Sequence, residues 1–170
     1  DWSFNEYYST RSEFIIDMAK CINEEVLALQ NAGAKYIQID EPAISTRPDE
    51  MDVAIEAMDI ATDGVKAITI SHTMEYTRNY WDFAKIYDQL MSLPVDILDL
   101  ETVNSNYSIL ELIKENGLPD DKSLSIGVVD SHDHRIESVE QIKAGIKASL
   151  ALIPPSRLSV KPDCGLKTRL

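Results

Sequence analysis

Short β-rich runs alternate with longer stretches of helical periodicity along most of the chain, and no other feature constrains the fold as strongly. The β-rich runs are residues 36–39, 67–70, 96–100, 124–129 and 158–160. They recur about every 30 residues, which is the length of a strand, a crossover helix and their loops. Most residues of each run are apolar, as expected for parallel strands that are buried on both faces. The alternation therefore predicts an α/β fold built around a parallel sheet.

Apolar residues spaced three and four positions apart predict helices between these strands. The clearest such face consists of Phe14, Ile15, Met18, Ile22, Val26 and Leu29. Gly33 follows it where a helix C-cap is expected, and similar spacings stop before Pro94, Gly117 and Pro154. Residues 49–63 fit the helical period only loosely. The pattern predicts one helix in each interval.

Two folds fit this alternation, a doubly wound open sheet and a (β/α)8 TIM barrel. No Gly-rich turn follows a predicted strand, so the phosphate-binding signature of dinucleotide folds is absent. Polar residues instead end all five strands: Asp40, Glu41, Ser71, His72, Glu101, Asp130, His132, Asp163 and Cys164. A single acidic residue there could simply cap the next helix. Five polar strand ends in succession, with a His and a Cys among them, favour a barrel with its active site at that face.

A closed TIM barrel needs eight strands, and the sequence provides fewer. It contains five full runs, and residues 2–4 have the character of the end of a sixth. We therefore expect the chain to be part of a larger protein. We also expect the remaining barrel strands, or a partner copy, to cover the two open sheet edges, because exposed edges invite uncontrolled pairing.

The charge and the cysteine content limit which classes of partner and which cell compartment we expect for this protein. Lys and Arg number 16 against 29 Asp and Glu, giving a net charge of −13 that disfavours nucleic acid and anionic membrane surfaces. No apolar stretch approaches the roughly 20 residues that a membrane span needs. The sequence opens without a signal-peptide pattern, and Cys21 and Cys164 lie far apart. We expect a cytoplasmic protein in which each cysteine is a free thiol or a ligand.

Three residues at strand ends have the side chains of a metal site. His72, Glu101 and Cys164 each end a different predicted strand. Imidazole, carboxylate and thiolate are all zinc ligands, and three protein ligands with a fourth position free are typical of catalytic zinc. A His at a strand end is more often a hydrogen-bonded core residue, so this pattern alone does not establish the site.

Four sequence strings resemble signatures of the cobalamin-independent methionine synthase family. The two longest are YIQIDEPA at residues 36–43 and KPDCGLKTR at residues 161–169. WSF at residues 2–4 and GVVDSH at residues 127–132 are similar to two further signatures. The resemblance spans nearly the whole chain and identifies it as a member of this superfamily. It implies that residues 1–170 are the later part of a single C-terminal catalytic (β/α)8 barrel, truncated at both ends.

The resemblance also implies a zinc-dependent methyltransferase that moves a methyl group to the thiol of homocysteine to make methionine. The implied donor is 5-methyltetrahydrofolate or a methylcorrinoid protein. The implied roles are zinc ligands for His72, Glu101 and Cys164, general acid for His132, and substrate binding for Asp40, Glu41 and Trp2. Asp40 falls on the residue that holds the amino group of homocysteine, and Trp2 on the aromatic residue that lies against the pterin.

The chemistry of these residue types agrees with the implied roles. Zinc removes the proton of a bound thiol and leaves a nucleophile at neutral pH. The nitrogen that releases the methyl group is a strong base and must be protonated, which suits an imidazole such as His132. A carboxylate at Asp40 can pair with the substrate ammonium and fix its orientation. For His132 a solvated polar loop, shared with Asp130, Asp133 and His134, is the alternative interpretation.

Two departures from the family pattern leave alternatives open. Met74 stands where the family usually has a second Cys after the zinc-binding His, and a thioether is a weak zinc ligand. Thr46 stands where relatives that use the folate donor carry an acidic residue, which weakens the assignment of the folate donor specifically. One alternative is a zinc enzyme acting on another thiol, such as coenzyme M. The other is a paralogue with a degraded zinc site that acts as a ligand-binding protein.

Overall fold

Five parallel strands form a single sheet in the computed structural model, which describes residues 5–73 and 81–166, with only the backbone at 81 and 82. The strands are β1 (Tyr36–Asp40), β2 (Ile68–Thr73), β3 (Ile97–Leu100), β4 (Ser123–Val129) and β5 (Leu158–Pro162). They follow one another across the sheet in sequence order, and every pair is parallel. All five predicted strands are confirmed, whereas the possible strand end at residues 2–4 lies outside the described residues.

Five helices alternate with these strands, as the apolar periodicity predicts. They are α1 (Arg11–Asn31), α2 (Met51–Thr62), α3 (Trp81–Met91), α4 (Ser108–Asn116) and α5 (Val139–Leu150). The loosely periodic segment between β1 and β2 begins with two short 3-10 turns, Ile44–Thr46 and Pro48–Glu50, before α2. A third such turn, Pro155–Arg157, leads into β5. In the described part of the chain, no helix has both the length and the apolarity needed to cross a membrane.

Local hydrogen bonds define where the helices begin and end. Thr10 caps α1 and Ser138 caps α5, and each forms a reciprocal capping box with the residue three positions on. Gly33 follows the C-cap of α1 with a φ of +102°, a conformation that favours glycine. These caps satisfy backbone groups that the helices themselves leave unpaired.

The strand order distinguishes a barrel from a doubly wound sheet. In a doubly wound sheet the order reverses at a switch point, so that helices cover both faces. Here each strand pairs with the next one along the chain. Because crossovers between parallel strands are right-handed in nearly all proteins, this order places the intervening helices on the same face of the sheet. Neighbouring helices contact each other in the pairs α1–α2, α2–α3 and α3–α4. This arrangement is that of a TIM-barrel fragment, as predicted.

The two faces of the sheet differ in character. The helix-covered face carries the apolar core, which includes Leu98, Leu100, Leu124 and Ile126 from the strands and Phe83, Ile86, Leu90 and Ile109 from the helices. The opposite face would line the interior of a barrel, and its strand register aligns Asp40 with His72 and His72 with Asp99. Among the described residues, β1 and β5 are the edges of the sheet.

Candidate metal centre

The carboxyl ends of the strands bring His72, Glu101 and Cys164 together. His72 lies near the end of β2, Glu101 directly follows β3, and Cys164 lies two residues beyond β5. One ligand atom from each of the three residues lies within 4.8 Å of the other two. His72 and Glu101 are buried, and Cys164 is partly exposed. The sequence predicted this grouping from strand ends alone.

The three side chains fit zinc by their chemistry. They offer one nitrogen, one oxygen and one sulfur atom, the donor types that zinc accepts at distances of about 2.0–2.3 Å. Small movements of the side chains would bring the three ligand atoms to bonding distance from one ion. Three protein ligands also leave a position for a substrate atom. Met74, which stands where the family has another cysteine, lies outside the described residues.

The Glu101 carboxylate is held at both oxygens. Its Oε1 lies 3.0 Å from Nε2 of His132, and its Oε2 accepts a hydrogen bond of 3.1 Å from the side-chain amide of Asn104. Burial raises the pKa of Glu101, and the neighbouring His132 partly opposes this rise. A buried carboxylate of this kind is stabilised by added positive charge. A cation bound between Glu101, His72 and Cys164 would supply it.

His132 lies in the loop that follows β4. Its backbone N–H donates to Oδ1 of Asp130 at 2.8 Å, while Glu137 accepts from the backbone N–H of Asp130 at 2.7 Å. These two bonds hold the loop backbone on either side of Ser131, and the His132 imidazole contacts Glu101. The His132 side chain is 46% exposed, so a substrate could reach it. Its contact with a candidate metal ligand was not predicted from the sequence.

Asp163 ties together the two loops that carry Glu101 and Cys164. Its side chain is completely buried, and its carboxylate accepts backbone hydrogen bonds of 2.8, 3.1 and 3.1 Å from Thr102, Val103 and Asn104. Burial raises the pKa of Asp163, and these backbone donors oppose the rise. Sequence reasoning placed Asp163 at a strand end without assigning it a role. Its position directly before Cys164 was the available signal.

Two of the three predicted substrate-binding residues, Asp40 and Glu41, lie at the same edge of the sheet, next to β2. Asp40 ends β1 opposite His72, and its Oδ1 accepts a hydrogen bond of 2.7 Å from the side chain of Gln38. The backbone N–H of Glu41 donates to the His72 carbonyl at 2.9 Å. Burial raises the pKa of the Glu41 side chain. Trp2, the third predicted substrate-binding residue, lies outside the described residues.

Comparisons with known proteins agree with this architecture. The family model described as "Cobalamin-independent synthase, Catalytic domain" matches residues 1–170. The chain is 38% identical to a methionine synthase of Saccharolobus solfataricus over 98% of its own length and 48% of the relative's. It is 41% identical to a methionine synthase of Pyrococcus horikoshii over 98% and 47% of the respective lengths. It thus spans about half the length of the curated relatives it matches.

A solved structure extends the likeness to three dimensions. It is a B12-independent methionine synthase from Shewanella sp. W3-18-1 in complex with selenomethionine. The two chains superpose with a TM-score of 0.85 at 25% sequence identity. The match covers 96% of this chain and 51% of the other.

Proposed function

Because the chain belongs to the family of cobalamin-independent synthase catalytic domains, we propose that it forms the zinc-binding part of a methyltransferase that converts homocysteine into methionine. The observation that carries the proposal is the convergence of His72, Glu101 and Cys164 within 4.8 Å. Residues 1–170 are then the later part of a single barrel, and its other strands cover the free edges of β1 and β5. Methionine synthases of similar sequence support this reading.

In the proposed mechanism His72, Glu101 and Cys164 would hold one zinc ion, with one position free for a substrate atom. Bound zinc would lower the pKa of a thiol in that position, so that the homocysteine sulfur is a thiolate at neutral pH. The burial of His72 and Glu101 keeps water away from two of the ligands. The partly exposed Cys164 lies on the side from which a substrate can approach.

Asp40 binds the ammonium group of homocysteine in this proposal. Its carboxylate is exposed and lies beside His72 in the strand register, so a molecule whose sulfur is near the metal ligands can also reach it. The hydrogen bond from Gln38 fixes the carboxylate before substrate arrives. A fixed anion orients the substrate without the cost of ordering a side chain on binding.

His132 acts as the general acid when the donor is 5-methyltetrahydrofolate. As the bond from sulfur to the methyl carbon forms, the bond from that carbon to nitrogen breaks, and the nitrogen takes a proton from the imidazolium. The contact with Glu101 holds the ring beside the site where the sulfur reacts. A methylcorrinoid donor releases its methyl group from cobalt, and that leaving group needs no proton. The two donors therefore place different demands on His132.

The first experiment measures zinc content and thiol binding in the complete protein. We expect about one zinc per chain, lost in Cys164→Ser and retained in Cys21→Ser, because Cys21 is exposed on α1 and distant in sequence from the site. We also expect homocysteine to raise the melting temperature only when zinc is bound. A ligand present at 100 times its Kd adds about 2.7 kcal/mol of stability.

Other results would point to the alternatives. A rise in melting temperature with coenzyme M, and none with homocysteine, would indicate an enzyme that acts on another thiol. A homocysteine shift that persists without metal would indicate a ligand-binding paralogue. No zinc binding, even with excess metal, would contradict the proposed metal centre.

A further inference from the structure

A buried chain of contacts holds His72 through the ring nitrogen Nδ1. That atom lies 2.8 Å from Oδ1 of Asp99, and the same oxygen lies 2.6 Å from Nζ of Lys161. The side chains of His72, Asp99 and Lys161 are 8%, 7% and 19% exposed. None of these contacts was predicted from the sequence.

The strand register explains how Lys161 reaches Asp99 across an intervening strand. Asp99 lies on β3 and Lys161 on β5, with β4 between them. On the face they share, β4 presents Ser125 opposite Asp99 and Gly127 opposite Lys161. Both of these β4 residues are small, so β4 places no long side chain between Asp99 and Lys161 on this face.

We propose that Asp99 and Lys161 are positioning residues for the metal centre, an inference that rests on the proposed function. A carboxylate accepts hydrogen bonds, so Nδ1 of His72 carries the shared proton. The lone pair of the other nitrogen, Nε2, is then the one left for a metal. Carboxylates commonly fix the tautomer and orientation of metal-binding histidines in this way.

Lys161 extends the same support to a second ligand. Its ammonium group also donates to the backbone carbonyl of Asp163 at 2.6 Å, directly before Cys164. One side chain thus contacts both the partner of His72 and the backbone that carries Cys164. It also offsets the charge of the buried Asp99 carboxylate, which unpaired would be costly in this interior. The contacts keep two ligands from different strands in a fixed relation.

The test compares zinc affinity among variants of the complete protein by competition with a chromophoric chelator. We expect Asp99→Ala to weaken zinc binding by about 10- to 100-fold, the usual cost of losing such a partner. Asp99→Asn keeps an acceptor for Nδ1, so its affinity should lie between those of Asp99→Ala and the wild type. Lys161→Met should also weaken zinc binding, while Lys161→Arg should retain more of it.

Asp96→Ala is the matched control. Asp96 directly precedes β3, at the end opposite the metal site, and its carboxylate accepts two hydrogen bonds from Thr69. Its loss should lower stability and leave zinc affinity unchanged. The absorption spectrum of bound cobalt gives a second readout, which should change in Asp99→Ala and stay constant in Asp96→Ala.

The outcomes separate this inference from the proposed function. If the wild type binds zinc and a folded Asp99→Ala variant binds it equally tightly, the proposed positioning role of Asp99 is wrong, whereas the proposed zinc site is supported. Equal losses in Asp99→Ala and Asp96→Ala would show a purely structural effect and overturn the inference as well. If Asp99→Ala does not fold, the test rests on Asp99→Asn and Lys161→Met. Zinc affinity equal to that of the wild type in both of these variants would show that Asp99 and Lys161 do not position the metal ligands. A wild type that binds no zinc overturns both proposals.

Discussion

Gly127 of β4 lies so close to Asp163 that no side chain could be added to it. A Cβ atom built on Gly127 would lie 1.6 Å from Oδ1 of Asp163 and 2.8 Å from its Cα. The carbonyl of Gly127 meanwhile accepts a hydrogen bond of 2.7 Å from the Thr102 hydroxyl. The missing side chain is therefore what lets Asp163 reach across β4 to the loop that follows Glu101.

Replacing this glycine should disturb both stability and metal binding. Gly127→Ala would force Asp163 away from the backbone donors that it now binds, and we expect a loss of about 2 kcal/mol in the free energy of unfolding. Urea unfolding measures this change, and a chelator competition measures zinc affinity. Gly165→Ala is the control, since nothing lies within 4 Å of a Cβ there. Equal unfolding midpoints for the two variants would contradict the steric argument.

Removing the Asp163 carboxylate should have a larger effect. Asp163→Ala leaves three backbone N–H groups, at Thr102 to Asn104, without their acceptor. We expect a loss of about 3 kcal/mol, because unsatisfied buried donors each cost about 1–3 kcal/mol and the loop can partly relax. The control is Asp120→Ala, at an exposed ion pair with Arg157, which should change stability by less than about 0.5 kcal/mol. If Asp163→Ala and Asp120→Ala lost similar amounts of stability, Asp163 would not be the anchor of the loop.

Glu41 should make stability depend on pH in the direction opposite to a salt-bridged carboxylate. Burial raises the pKa of Glu41 in the folded state, so the folded state holds this proton to a higher pH than the unfolded state does. The contribution of Glu41 to stability therefore falls as pH rises through the interval between the two pKa values. Above the folded-state pKa, the loss of stability caused by burying the ionised Glu41 reaches its full size.

Glu41→Gln should remove this cost while keeping an acceptor for the backbone N–H of Ala43. We expect the variant to be more stable than the wild type at pH 7, with the difference shrinking towards pH 4, near the unfolded-state pKa of about 4.3. Denaturant unfolding at several pH values tests this. Glu25→Gln, on the exposed surface of α1, is the matched control for the substitution itself. If the free energies of unfolding of Glu41→Gln and the wild type differed by the same amount at all pH values, the burial argument would be wrong.

His132→Gln should separate the two candidate methyl donors. With 5-methyltetrahydrofolate, loss of the general acid should lower the rate of methionine formation by about 100-fold or more. With methylcobalamin as a corrinoid donor, the rate should change far less, because no leaving nitrogen needs a proton. His134→Gln in the same loop is the control and should change neither rate. Zinc content measured in both variants tests whether the site is intact, and an equal loss with both donors would argue against the acid role.

Much of the fold could be predicted from the sequence because it depends on local patterns. Apolar runs and helical spacing located all five strands and all five helices of the described chain. The grouping of His72, Glu101 and Cys164 was predictable too, since the carboxyl ends of parallel strands meet at one edge. Hydrophobic periodicity alone does not distinguish a barrel from an open sheet. The polar strand ends favoured the barrel, and the observed strand order confirms it.

The supporting contacts of the site could not be predicted because they depend on register and on side chains that are small or missing. Lys161 meets Asp99 across β4, where the register places the small residues Ser125 and Gly127 between them. The approach of His132 to Glu101 depends on side-chain bonds within a single loop. Neither kind of information is present in hydrophobic periodicity or in residue spacing.

The sequential strand order also has a consequence for how the protein assembles. Each strand pairs with the next one along the chain, so no distant segment has to be inserted between strands that are already paired. Short separations between partners lower the entropy that is lost on pairing and favour rapid folding. During synthesis the sheet can grow one strand and one helix at a time. His72 and Glu101 become neighbours when β3 joins β2, whereas Cys164 arrives only with β5, so the proposed metal site is complete only when this sheet is complete.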